Sequence, residues 1–216
     1  MPALQEYYET LLDHFGPQHW WPGETTLDIL VGAVLTQNTN WQNVEKALAN
    51  LKRAEVLDFR TLLSLPQPIL AEYIRPSGYY NLKANRLLNL LSFIESSLAH
   101  GEDIDSFFSG DTALLREQLL SVKGVGPETA DSILLYGGGR PVFVIDAYAY
   151  RLLFRHGFVA EETSYEEMQE VCMDALPLDV HLFNEFHALI VAVGKAFCKK
   201  KKPNCKDCPL ACFLPH

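Results

Sequence analysis

The sequence predicts an all-α protein, and three observations carry that expectation. Apolar residues recur at three- and four-residue steps over most of the chain. Pro, Gly, Ser, Asn and Asp separate these runs at Pro66, Pro76-Ser77-Gly78, Gly110-Asp111 and Gly137-Gly138-Gly139. The best strand candidate, Val142 to Ile145, is too short and solitary to build a sheet. Punctuation at this density implies about ten short helices.

In chain order, the periodic segments are Tyr7–Phe15, Leu27–Leu35, Trp41–Ala54, Ala84–Leu98, Leu114–Leu120, Ala147–Phe154 and Val180–Val193. In the third, Trp41, Val44, Leu48 and Leu51 share one face, and Asn40 is placed to cap it. No internal repeat appears, and the only low-complexity stretch is a lysine run. Residues 114–136 read LLREQLLSVKGVGPETADSILLY. A helix ends near Val122, Lys123 to Gly126 turn tightly, and Pro127 opens a second helix at its first position. Gly124 and Gly126 permit positive φ or close approach of another backbone. The N-terminus of the second helix, with its free N–H groups, suits a phosphate. Helix–turn–helix corners also use glycine for geometry alone.

The 216 residues are 48% hydrophobic and 21% charged, an ordinary globular balance. No apolar run reaches the 18 or so residues of a bilayer span. The first 15 residues carry acids where a signal peptide carries basic residues, so neither secretion nor membrane insertion is expected. The net charge of −9 argues against coating a polyanion, but the charge is uneven. Six of the 18 basic residues and one of the 27 acids fall between Lys195 and His216, a local +5 against −14 elsewhere.

Cys198, Cys205, Cys208 and Cys212 lie in that tail, while Cys172 sits alone among apolar neighbours as a small core residue. Four cysteines so closely spaced, in a chain expected to stay inside the cell, point to a metal site rather than to disulfides. Tetrahedral zinc and a [4Fe–4S] cluster both suit four thiolates. Asp146 follows an apolar run and precedes a helix, a position where carboxylates commonly cap N–H groups.

Five segments occur in an order found in one family: Leu35-Thr-Gln-Asn-Thr-Asn-Trp41, Ser77-Gly-Tyr-Tyr-Asn-Leu-Lys-Ala84, the hairpin Gly124–Ala130, Val144-Ile-Asp146 and the cysteine tail. Together they resemble the endonuclease III branch of the helix–hairpin–helix DNA glycosylases. The resemblance implies two helical lobes with double-stranded DNA in the cleft between them. One lobe would be 24–138, with the hairpin at 114–136. The other would be 1–23 plus 139–216, with an iron–sulfur loop at 198–212. The hairpin residues Gly124, Val125, Gly126 and Thr129 would grip the DNA backbone. Gln37 and Tyr79 would fill the gap left by a flipped nucleotide, and Asp146 would act at its glycosidic bond. Asn81 and Lys83 would meet phosphates or solvent, and Lys199, Lys200, Lys201 and Lys202 would lie beside DNA.

The departures narrow the expected chemistry. Bifunctional members carry a lysine where this chain has Glu128, and Lys123 lies before the turn, so no amine replaces it. A monofunctional enzyme using water is expected, with Asp146 stabilising the oxocarbenium-like sugar. Trp20-Trp21-Pro22, Trp41 and Glu128 resemble the base pocket of the 3-methyladenine glycosylases of this branch, as does Arg75-Pro-Ser-Gly-Tyr-Tyr-Asn81. Electron-rich rings favour a methylated, electron-poor purine. The first three cysteines keep the spacing of the family's structural [4Fe–4S] loop. The last pair is separated by three residues, where the family has five. The resemblance further implies a monomer in a bacterial-type cytoplasm, associated with the nucleoid, that acts on damaged bases.

Overall fold

The computed structural model describes residues 3–20 and 23–214. Among the described residues the α-helices are α1 (Leu4–Phe15), α2 (Thr26–Leu35), α3 (Trp41–Arg53), α4 (Phe59–Ser64), α5 (Gln67–Tyr73), α6 (Tyr80–Ser97), α7 (Thr112–Ser121), α8 (Pro127–Ser132), α9 (Ala147–Arg155), α10 (Tyr165–Ala175) and α11 (Val180–Ala196). Polar side chains start them where the sequence offers one. Asn40 accepts the N–H of Asn43, Asp58 that of Thr61, and Asp179 that of Leu182. Ser164 and Glu167 form a reciprocal capping box ahead of α10. No single helix among these is long and apolar enough to cross a membrane.

The chain divides into two compact units. The middle unit, Pro22–Arg140, contains α2 to α8. Helix α2 is its centre: every residue from Leu27 to Leu35 is buried, and α3, α6 and α8 pack on it. A helix apolar on all sides needs such a wrapping. Arg116 of α7 grips Asp131 of α8 with two hydrogen bonds, Nε to Oδ1 at 2.7 Å and Nη2 to Oδ2 at 3.0 Å. Asp131 is fully buried, so this bidentate pair holds the two hairpin helices together from inside.

The terminal unit combines Met1–Trp21 with Pro141–His216 and contains α1, α9, α10 and α11. Helix α11 packs on both α1 and α9, with Tyr7, Leu11, Phe183, Phe186 and Leu189 in the core. A Cβ on Gly194 would lie 2.3 Å from Cδ1 of Tyr148, so glycine alone lets α11 approach α9 this closely. Val142 to Ile145 are buried and form neither helix nor strand. Side chains of α10 take over the backbone partners a neighbouring strand would supply. Gln169 Nε2 donates to the Phe143 carbonyl at 2.6 Å, and the Ile145 N–H donates to the Tyr165 hydroxyl at 3.3 Å. Cys172 is buried among apolar neighbours, which pushes its thiol up to about 12.

Candidate functional site

Asp146 is the N-cap of α9, delivered there by the buried segment before it. Its Oδ1 accepts the N–H groups of Tyr148 at 2.9 Å and Ala149 at 2.8 Å. The Nε2 of His187, on α11, lies 3.6 Å from the same oxygen. Burial alone would push this carboxyl up. The imidazole and the two N–H groups outweigh burial and hold it below the usual carboxylate range. Trp20 stacks on the His187 ring, with centroids 5.2 Å apart and planes at 27°. The chain before Trp20 is tied to the same helix, because the Gln18 N–H donates to the Glu185 carboxylate. An anion that stays ionised can stabilise positive charge developing on a ligand, or orient a water.

A second cluster lies in the middle unit, around the turn between α7 and α8. Gly124 has φ +102°, and a Cβ there would meet Cγ of Arg86 at 2.3 Å. Arg86 donates to the Gln37 side-chain oxygen. Gln37 Nε2 in turn donates to the Gly124 carbonyl at 3.1 Å and the Thr129 hydroxyl at 3.0 Å. Asn89 Nδ2 reaches the Lys123 carbonyl at 3.0 Å. Helix α6 therefore holds the turn from one side. Gly126 is extended at φ −101°, because it caps α8, and open space surrounds its Cα. Positive φ is thus needed at one of the two hairpin glycines.

Lys83, also on α6, is buried, contrary to an expectation of phosphate or solvent around it. Its Nζ donates to the carbonyls of Leu35 at 2.8 Å and Ser77 at 2.7 Å. Burial, reinforced by Arg86, pushes it down to about 8. One side chain thereby pins the segment leading to Gln37 and the segment leading to Tyr79. Tyr79 has φ +46° and is 72% exposed, a large ring presented to solvent by a strained residue.

In the tail, α9 again supplies the anchor. Arg151 Nε donates to the Cys198 carbonyl at 2.6 Å, and its guanidinium lies over the Tyr148 ring. Arg155 donates to Sγ of Cys198 at 3.2 Å and to the carbonyls of Lys199 and Lys200. Cys198, Cys205 and Cys208 line one pocket with Arg155, His156 and Leu210. The Cys208 thiol is pushed up by burial and then by Cys198, Cys205 and Cys212, so all four sulfurs lie within electrostatic reach. Among the described residues, no three His, Cys, Asp or Glu side chains converge as ligands of one ion. Four soft donors with a guanidinium on one sulfur fit a thiolate-held group in charge and chemistry.

Residues 31–178 match the HhH-GPD superfamily of base excision DNA repair proteins. The chain belongs to that superfamily. It is 46% identical, over 97% of its length and 94% of the relative's, to a candidate DNA repair glycosylase of Methanocaldococcus jannaschii. It is 31% identical to an endonuclease III of Thermotoga maritima, over 83% of this chain and 78% of that one. Among solved structures it is similar to H. pylori 3-methyladenine DNA glycosylase bound to 1,N6-ethenoadenine. That likeness has a TM-score of 0.76 and 32% identity, over 89% of this chain and 96% of the other. The all-α architecture described above is therefore the HhH-GPD fold.

Within this HhH-GPD protein, the residues singled out from sequence fall in both units. Trp20 and Asp146 share the terminal unit and are joined through His187. Gln37, Gly124 and Thr129 form one hydrogen-bonded cluster in the middle unit, with Val125 buried beside it. Trp41 is half-buried at the first turn of α3, and Glu128 is exposed in the first turn of α8. Lys199 to Lys202 are exposed. Trp21 and Pro22 lie outside the described residues. Sequence reasoning missed His187, Arg86 and Arg155. A lone histidine within the apolar run of α11 was the one signal for the first; the two arginines sat in unremarkable helical periodicity.

Proposed function

We propose that this DNA repair glycosylase of the HhH-GPD superfamily is monofunctional and removes alkylated purines of the 3-methyladenine type by hydrolysis. The observation that carries the reading is the Asp146 carboxylate, held ionised next to His187, on whose ring Trp20 stacks. In this reading Asp146 stabilises positive charge on the sugar as the base departs and orients the attacking water. Departure of a methylated purine needs little help, so one well-placed anion suffices, while the flipped base gains by stacking on electron-rich rings. Trp20 supplies an aromatic surface in the terminal unit for such a base.

The hairpin Gly124–Thr129 and the exposed Lys199–Lys202 hold double-stranded DNA by its phosphates, and Tyr79 enters the stack as the nucleotide leaves. Gln37 acts there through the hairpin, since its amide is engaged by Arg86, Gly124 and Thr129. Cys198, Cys205, Cys208 and Cys212 hold a [4Fe–4S] cluster whose contribution is structural. Cys198, Cys205 and Cys208 share one pocket, which supports a thiolate-held group there. Glu128 offers no amine for a Schiff base.

The test is release of 3-methyladenine from methylated duplex DNA, with borohydride trapping on abasic-site DNA alongside. Release by wild type, none by Asp146→Asn and no trapped adduct are expected. An efficient covalent adduct would overturn the monofunctional assignment. Equal release by both proteins would remove Asp146 from the mechanism.

A further inference from the structure

Helix α11 buries Phe183, Phe186, Leu189, Ile190 and Val193, yet places an imidazole among them at His187. Burying a polar ring there is costly unless a partner rewards it. Asp146 is that partner, 3.6 Å from Nε2. Two N–H groups from α9 and the imidazole from α11 all meet the same carboxylate oxygen, Oδ1. Three groups on one oxygen hold the carboxylate in one orientation. The Trp20 stack fixes the imidazole in turn, and the Glu185 contact fixes the chain before Trp20. Gly194 lets α11 pack closely on α9 beside this span.

We propose that His187 is a positioning residue, which orients Asp146 for base excision and couples that orientation to the aromatic wall of the base pocket. The proposal rests on the reading of Asp146 given above. Two variants separate orientation from bulk. His187→Phe keeps a ring for Trp20 and loses the N–H. His187→Gln restores an amide N–H near the position of Nε2.

Single-turnover release of 3-methyladenine from methylated duplex DNA should slow about tenfold to a hundredfold in His187→Phe. Duplex Kd and melting temperature should stay unchanged, and His187→Gln should recover most of the rate. A His187→Phe enzyme at the wild-type rate, or both variants equally slow, overturns the proposal. Titration of the 13C-labelled Asp146 carboxyl, followed by NMR, gives a readout free of turnover. Its pKa should rise in His187→Phe, and an unchanged value also overturns the pairing. A wild type that releases no base from any lesion overturns the functional reading, and the titration then decides the His187–Asp146 pairing alone.

Discussion

Lys83 in the middle unit and Asp146 in the terminal unit are both charged groups withdrawn from water, and their surroundings treat them oppositely. Lys83 meets two carbonyl dipoles and a neighbouring guanidinium, and it falls to about 8. Asp146 meets two N–H groups and an imidazole, and it stays below the usual carboxylate range. The lysine is a pin whose charge is expendable, because a neutral amine still donates to both carbonyls. The carboxylate keeps its charge, because two N–H groups and the nearby imidazole outweigh burial. Burial therefore neutralises readily in one unit and leaves a charge in the other, and the difference lies in the partners.

The largest effect that would break this contrast is expected at Asp146. Asp146→Asn keeps a capping oxygen but loses the charge. Base release should fall about 10²- to 10⁴-fold in single-turnover assays, with a much smaller effect on melting. A variant that melted far earlier would place Asp146 with the structural group. Next, Lys83→Met strands the carbonyls of Leu35 and Ser77. It should cost about 1–3 kcal/mol in denaturant unfolding, while leaving the Asp146 titration where it was. Gly124→Ala, which combines a strained φ with a clash on Arg86, should cost about 1–3 kcal/mol and weaken DNA binding through the hairpin.

The pH dependence sharpens the same point. Lys83 titrates near 8 when folded and near 10.5 when unfolded, so the folded chain releases this proton first. From this group, stability is lowest below pH 8 and rises between about 8 and 10.5. The melting gap between wild type and Lys83→Met should move in favour of wild type across that window. For Asp146 the slope has the same sign in a lower window: its contribution is present above the unfolded value of 3.8 and is lost as pH falls through the lower folded value. The smallest change belongs to the tail. Replacing Lys199–Lys202 by Ala should flatten the salt dependence of duplex binding, by about 0.9 in slope for each phosphate no longer neutralised.

Periodicity made most helices legible, because an amphipathic stripe is written at fixed spacing in the chain. Helices α4 and α5 were not, being too short for a stripe to show. Helix α10 announces itself by the Ser164–Glu167 capping box rather than by apolar spacing. Motif residues such as Asp146, Gly124 and Trp20 were legible because their neighbours along the chain are distinctive. The partners that orient them were not: His187 lies 41 positions from Asp146, and Arg86 lies 49 positions from Gln37.

By itself the sequence determined an all-α fold, the hairpin, the uneven charge and the residues able to do chemistry. Each is a property of composition or of spacing within a few turns of helix. Only the tertiary structure decided which buried charge is a pin and which is kept ionised. It also decided that one hairpin glycine needs positive φ, and that α9 carries Asp146 at one end while its arginines hold the cysteine tail. The physical reason is that a pKa, a clash or an orientation depends on what stands within a few ångströms. Those neighbours come from residues far apart in the chain.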